Sequence, residues 1–188
     1  KRLTNCLGTN PYLRVLAVSA NKRILSRCAE WSALGAVVAQ TDSMDSYVYD
    51  AFINNNDTIY VLDRAKNQIL SWYQPTGTHH STRSYNHTDP LSFFVTTTGD
   101  IVVDRGLDSC ISKYPPVSNQ STIVTYINRG CKSLFVTTSG VLYCLVNNSH
   151  IVVRTSSSSN STSWTLAAGT GCEGSAAHML SEPMGIYV

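Results

Sequence analysis

The residues that could do chemistry are few and scattered. Five histidines occur, His79, His80, His87, His150 and His178. None stands at metal-ligand spacing from a carboxylate or a second histidine on one face, so no metal site is read here. Asp63 and Asp104 recur in related segments, which raises the idea of paired carboxylates. Recurring aspartates of this kind more often cap tight turns between strands. Gly169-x-Gly171-x-x-Gly174 has the spelling of a dinucleotide-binding loop, but that loop needs an acidic residue about 20 positions on within a βαβ unit. Only 14 residues follow Gly174. No Ser-His-Asp order and no Gly-x-Ser-x-Gly elbow is present. Trp31, Trp72 and Trp164 could stack on a sugar, but packing between neighbouring elements is the expected use. The chain therefore reads as non-catalytic, with no cofactor and no metal.

Cysteines and asparagines carry a different message. Cys6, Cys28, Cys110, Cys131, Cys144 and Cys172 make an even set with no Cys-x-x-Cys, which favours disulfides over a zinc knuckle. Five Asn-x-Ser/Thr acceptors occur, at Asn56, Asn86, Asn119, Asn147 and Asn160, each in a loop or at a strand end. Together they imply a secreted, extracellular chain that carries N-linked glycans. Charged residues are 14% of the 188, against about 25% in ordinary domains, and sugars can solvate what charge does not. The net charge of +2 argues against a nucleic-acid platform. No apolar run approaches the roughly 18 residues of a membrane span. The hydrophobic share of 43% excludes a disordered chain. The start at Lys1, without Met or an apolar leader, reads as a processed or trimmed product.

The elements that must position these residues repeat. Phe93-Phe94-Val95-Thr96-Thr97-Thr98-Gly99 is echoed 41 residues on by Leu134-Phe135-Val136-Thr137-Thr138-Ser139-Gly140. Tyr60-Val61-Leu62-Asp63-Arg64 is echoed by Val102-Val103-Asp104-Arg105, with Asp63 and Asp104 also 41 apart. On the same offset Ile69-Leu70-Ser71 falls on Cys110-Ile111-Ser112 and then on Ile151-Val152-Val153. Each unit holds short runs of Val, Ile, Thr, Tyr and Phe broken by Gly, Asn, Asp or Ser, which are strand and turn signals. In one unit the runs are Leu91–Thr97, Asp100–Asp104, Cys110–Tyr114 and Thr122–Ile127. Four strands per unit of this length predict an all-β chain, a single β-propeller domain of about four four-stranded blades. The blades are expected at 11–41, 47–85, 90–128 and 131–170, with an extra inner strand at 183–188. The best helical candidate, Ser175–Leu180, amounts to about two turns at most. Ser156–Ser163 reads as an exposed low-complexity loop.

The stretch Leu166 to Val188, with Gly169-Thr170-Gly171 followed by Leu180-Ser181-Glu182-Pro183-Met184-Gly185, resembles the junction between repeats of NHL-type β-propellers. Tyr60-Val61-Leu62-Asp63 followed by Asn67-Gln68-Ile69-Leu70 is similar to that family's second and third strands. Asn21-Lys22 and Asn67-Gln68 stand where the family has an Asn-His pair. Some members are lyases with metal-bound histidines in the central channel. The histidines here fall in outer strands and loops, so the resemblance does not carry that site over.

Blade topology suggests the cystine pairs Cys6–Cys28, Cys110–Cys131 and Cys144–Cys172, because each pair falls on one face of a blade or of adjoining blades. The run 12–18 aligns with second strands, so the first blade lacks an inner strand, while Met184, Gly185, Ile186, Tyr187 and Val188 read as a surplus one. That strand is expected to close the ring on its own chain, to pair head-to-tail with a neighbouring copy, or to mark a piece of a longer propeller. The function expected is a non-catalytic extracellular interaction or structural module. The alternatives are a self-assembling filament subunit joined by strand exchange, and a lyase-type enzyme.

Overall fold

The computed structural model describes residues 48–73, 78–84, 89–156 and 163–188. Twelve strands and no helix occur among them. They form three antiparallel sheets, each a four-stranded meander in chain order. The first sheet holds β1 (Val48–Ile53), β2 (Thr58–Asp63), β3 (Gln68–Tyr73) and β4 (Thr78–Ser84). The second holds β5 (Phe93–Val95), β6 (Ile101–Asp104), β7 (Cys110–Tyr114) and β8 (Thr122–Tyr126). The third holds β9 (Cys131–Val136), β10 (Val141–Val146), β11 (Ile151–Ser156) and β12 (Thr165–Gly169). These sheets fall within the windows 47–85, 90–128 and 131–170; the window 11–41 lies outside the described residues. The Ser175–Leu180 stretch is a turn, with the amide of Met179 bonded to the carbonyl of Ala176 at 2.9 Å.

One turn, used three times, sets the sheets. In Thr96–Asp100 the Thr96 hydroxyl accepts the amide of Asp100 at 3.0 Å, and the Gly99 amide bonds back to the Thr96 carbonyl at 3.0 Å. Thr137–Val141 repeats it, with Thr137 Oγ1 accepting the Val141 amide at 2.9 Å. Gly99 and Gly140 take φ of 81° and 78°, a left-handed conformation that glycine adopts without penalty. Asn54–Thr58 is the same turn in other letters. The Asn54 side-chain oxygen accepts the Thr58 amide at 2.9 Å, and Asp57 takes the left-handed place with φ 59°.

This turn corrects the repeat register. Ile59 pairs with Trp72 as Ile101 pairs with Tyr114, and Leu62 with Ile69 as Asp104 with Ile111. The first two sheets are therefore offset by 42 residues, not 41. The offset of 41 holds between the second and third, where Leu142 pairs with Thr155. Successive side chains alternate between faces, so a slip of one residue reverses every assignment. Asp63 is equivalent to Arg105, and Asp104 to Leu62. The two aspartates do not share a position.

The sheets meet along their first strands: β1 contacts β5, and β5 and β6 contact β9. Between the first and second sheets Leu62, Ile69, Phe93, Val95, Ile101, Val103 and Tyr114 form one cluster. Between the second and third a larger cluster joins Phe94, Val102 and Ile111 to Phe135, Leu142 and Cys144. An aromatic ladder crosses the first strands. Phe52 and Phe94 have ring centroids 5.1 Å apart, Phe94 and Phe135 5.2 Å, and Phe135 and Tyr187 5.6 Å. Edge and tilted contacts at these distances suit the ring quadrupoles.

Tyr187 gives the C-terminal segment its place. Met184–Val188 joins none of the three described sheets. Its ring nevertheless continues the ladder beyond β9, and Ile186 and Val188 pack against the larger cluster. The expected partner, 12–18, is outside the described residues.

Candidate functional site

The cysteines come together differently from the expected pairing. Cys131 and Cys144 form a disulfide, with Cα atoms 5.3 Å apart. Cys131 opens β9 and Cys144 lies in neighbouring β10. The ladder slips between Leu145 and Val146, and both side chains are fully buried in the larger cluster. Cys110 is a buried free thiol and Cys172 an exposed one, so Cys110–Cys131 and Cys144–Cys172 do not form. The reason is the face. Cys110 alternates with Ile111, so it shares the face of β7 that carries Tyr114 into the first joint, while Ile111 faces Cys131 in the second. Burial pushes the Cys110 thiol up from its ordinary range. Cys6–Cys28 lies outside the described residues.

Three of the five Asn-x-Ser/Thr sequons lie among the described residues, all in turns or bends. Asn56, between β1 and β2, and Asn119, between β7 and β8, are exposed; Asn147, between β10 and β11, is half-buried. Connections alternate between the two ends of a meander, so Asn56 and Asn119 sit on one rim and Asn147 on the opposite rim. Asn86 and Asn160 lie outside the described residues.

Two clefts open on these rims, the first between the second and third sheets and the second between the third sheet and the C-terminal segment. One, about 250 Å³, lies between the turns Thr96–Asp100 and Thr137–Gly140 over Phe94 and Val136. Lys113 Nζ pairs with Asp100 Oδ2 at 2.8 Å at its side. The other, about 300 Å³, is lined by Lys132, Ser149, His150 and Glu182 on the opposite rim. There the Glu182 amide donates to Nδ1 of His150 at 3.2 Å, tying the C-terminal segment to the β10–β11 turn. Among the described residues no group of three or more His, Cys, Asp or Glu side chains is placed to hold a metal ion.

Other polar side chains cap turns or join sheets. Asp63 caps its own turn, accepting the Lys66 amide at 3.2 Å and the Gln68 side-chain amide at 3.1 Å. Arg64 pairs with Asp89 and lies 4.7 Å over the Tyr49 ring. Arg83 of β4 donates to the carbonyl of Pro115 at 3.0 Å and to that of Pro116, reaching the second sheet. Trp164 donates its indole N–H to the Tyr126 carbonyl at 2.7 Å, linking the third sheet to the second. Trp72 is 1% exposed and belongs to the core; Trp31 lies outside the described residues. Asp104 is the residue whose role sequence reasoning missed. It is fully buried, and burial pushes its carboxyl up to about 6.

No family model and no curated sequence matches the chain. Solved structures do resemble it in fold. Streptogramin B lyase superposes with TM-score 0.54 at 14% identity, over 67% of this chain and 42% of that one. Virginiamycin B lyase from Staphylococcus aureus gives 0.52 at 16% identity, over 67% and 42%. Hydrazine synthase of Kuenenia stuttgartiensis gives 0.51 at 10%, over 68% and 36%. The chain thus spans less than half the length of the structures it matches. Fold and likeness together define a β-propeller-type fold, with three four-stranded antiparallel sheets in succession among the described residues.

Proposed function

We propose that the chain is a secreted, N-glycosylated, NHL-like propeller that serves as a non-catalytic extracellular module for interaction or structure. The observation that carries this reading is the buried Cys131–Cys144 disulfide in a chain whose Asn56 and Asn119 acceptors stand exposed in turns. Disulfides persist in oxidising compartments, where the same chain meets the glycosylation machinery. The polar side chains at the joints are spent on holding sheets together, which suits a rigid platform. The test is the mass of the chain secreted from eukaryotic cells, before and after enzymatic deglycosylation. Loss of several glycans, abolished site by site by Asn→Gln, supports the reading; an unmodified secreted chain refutes it.

A second reading, a filament subunit joined head-to-tail, is favoured by the C-terminal segment, which joins none of the described sheets while its Tyr187 ring meets Phe135 of β9 and Ile186 and Val188 pack against the larger cluster. Negative-stain microscopy of the purified protein separates the two, since discrete particles speak for the module and filaments for the subunit.

A further inference from the structure

The joints between sheets contain carboxyl groups where the repeat elsewhere places none. At the first joint Asp50 of β1 reaches across, its Oδ2 accepting the Phe93 amide of β5 at 3.3 Å and its Oδ1 the Ala51 amide at 2.9 Å. At the second joint Asp104 Oδ2 accepts the Leu91 amide at 3.3 Å. A Cβ at Gly130, just before β9, would lie 3.1 Å from that oxygen, so the third sheet closes over the carboxyl. Asp104 Oδ1 is buried and makes no hydrogen bond of ordinary geometry, although the Cys131 and Gly106 amides lie close enough to the carboxyl to favour its charge. On the corrected register Leu62 and Leu145 occupy the place of Asp104 in the other sheets, and Ser92 and Ser133 the place of Asp50. Ser92 does the same bridging without charge, its hydroxyl donating to the Cys131 carbonyl at 2.6 Å. The fold therefore tolerates neutral side chains at both positions. A buried, half-satisfied carboxylate costs free energy as an anion and far less as an acid.

We propose that the joints between successive sheets are tightened by acid: Asp50 and Asp104 each bind a proton in the folded chain under mildly acidic conditions, which removes a buried charge from the second joint and a half-buried one from the first. Burial pushes both groups from 3.8 up to about 6, against the pull of backbone amides, Phe93 and Ala51 for Asp50 and Cys131, Leu91 and Gly106 for Asp104. From outside its own strand Asp104 also feels Asp89, whose charge raises it further. Asp89 is itself paired with Arg64, and Arg105, next to Asp104, with Asp108. Among the described residues, only backbone groups act on Asp50 besides burial.

A carboxyl whose folded value lies above its unfolded one binds protons more readily when folded. Its stabilising contribution is full below 3.8, declines as pH rises through about 6, and is absent above. Between pH 8 and pH 5 each site then raises the folding constant about tenfold. Equilibrium unfolding in urea at both pH values tests this with the parent chain, Asp104→Leu and Asp50→Ser, the substitutes being those the repeat already uses. The ratio of folding constants between pH 5 and pH 8 is expected to fall about tenfold in each variant. The comparison with the parent cancels the titration of the histidines. Should Asp104→Leu fail to fold, Asp104→Asn gives the same readout. A ratio within about twofold of the parent in both variants overturns the proposal.

Discussion

Removing the Phe94 ring should cost more than removing any other rung of the aromatic ladder. Phe94 is 5% exposed and touches Phe52 on one side and Phe135 on the other, at centroid distances of 5.1 and 5.2 Å. It thus bridges both joints. Phe94→Ala deletes a buried ring between two sheets whose backbones are held by their own ladders and cannot collapse fully into the void. The expected loss is about 3–5 kcal/mol, the usual range for a buried phenylalanine. Part of it is specific to the ring pairs, about 0.5–1.5 kcal/mol each, and should appear as coupling in a double-mutant cycle of Phe94→Leu with Phe135→Leu. Urea unfolding followed by circular dichroism measures both. A loss below about 1 kcal/mol for Phe94→Ala, or no coupling in the cycle, would refute the inter-sheet ladder.

Cys144→Ser should lower stability by about 3 kcal/mol under the loop-entropy model and expose one additional thiol, Cys131, to labelling in denaturant. Trp164→Phe leaves the Tyr126 carbonyl without its indole donor and should cost about 1 kcal/mol in the same unfolding assay. Asp57→Gly replaces a residue at φ 59° with the one its counterparts Gly99 and Gly140 already use. It should stabilise the chain by about 0.5–1 kcal/mol, read as a raised urea midpoint.

The strands were legible because each is a short β-branched or aromatic run closed by a turn signal. Thr96-Thr97-Thr98-Gly99 and Thr137-Thr138-Ser139-Gly140 announce one turn twice, since both use a hydroxyl acceptor and a glycine. Asn54-Asn55-Asn56-Asp57 concealed the third, because an amide oxygen replaces the hydroxyl and an aspartate takes the left-handed φ. With that turn unrecognised, the first repeat was read one residue out of register, and Asp63 and Asp104 were matched although they face opposite ways. The role of Asp104 was hidden by the same slip. Disulfide connectivity failed for a related reason, since whether Cys110 or Cys144 meets Cys131 depends on strand face rather than on which turn a residue adjoins. The sequons at Asn56, Asn119 and Asn147 needed only local spacing to be read as turn residues, because a turn is set by the residues that form it.

The placement of Met184–Val188 beyond β9, and with it the arrangement of the sheets as successive blades, is tested most directly by ring-to-ring nuclear Overhauser contacts. The chain has 4 phenylalanines and 10 tyrosines, few enough for selective labelling. The structure predicts cross-peaks from Phe94 to both Phe52 and Phe135, and from Phe135 to Tyr187. Absence of the Phe94–Phe135 contact would contradict the joining of the sheets along their first strands. Absence of the Phe135–Tyr187 contact, with the others present, would contradict the placement of the C-terminal segment.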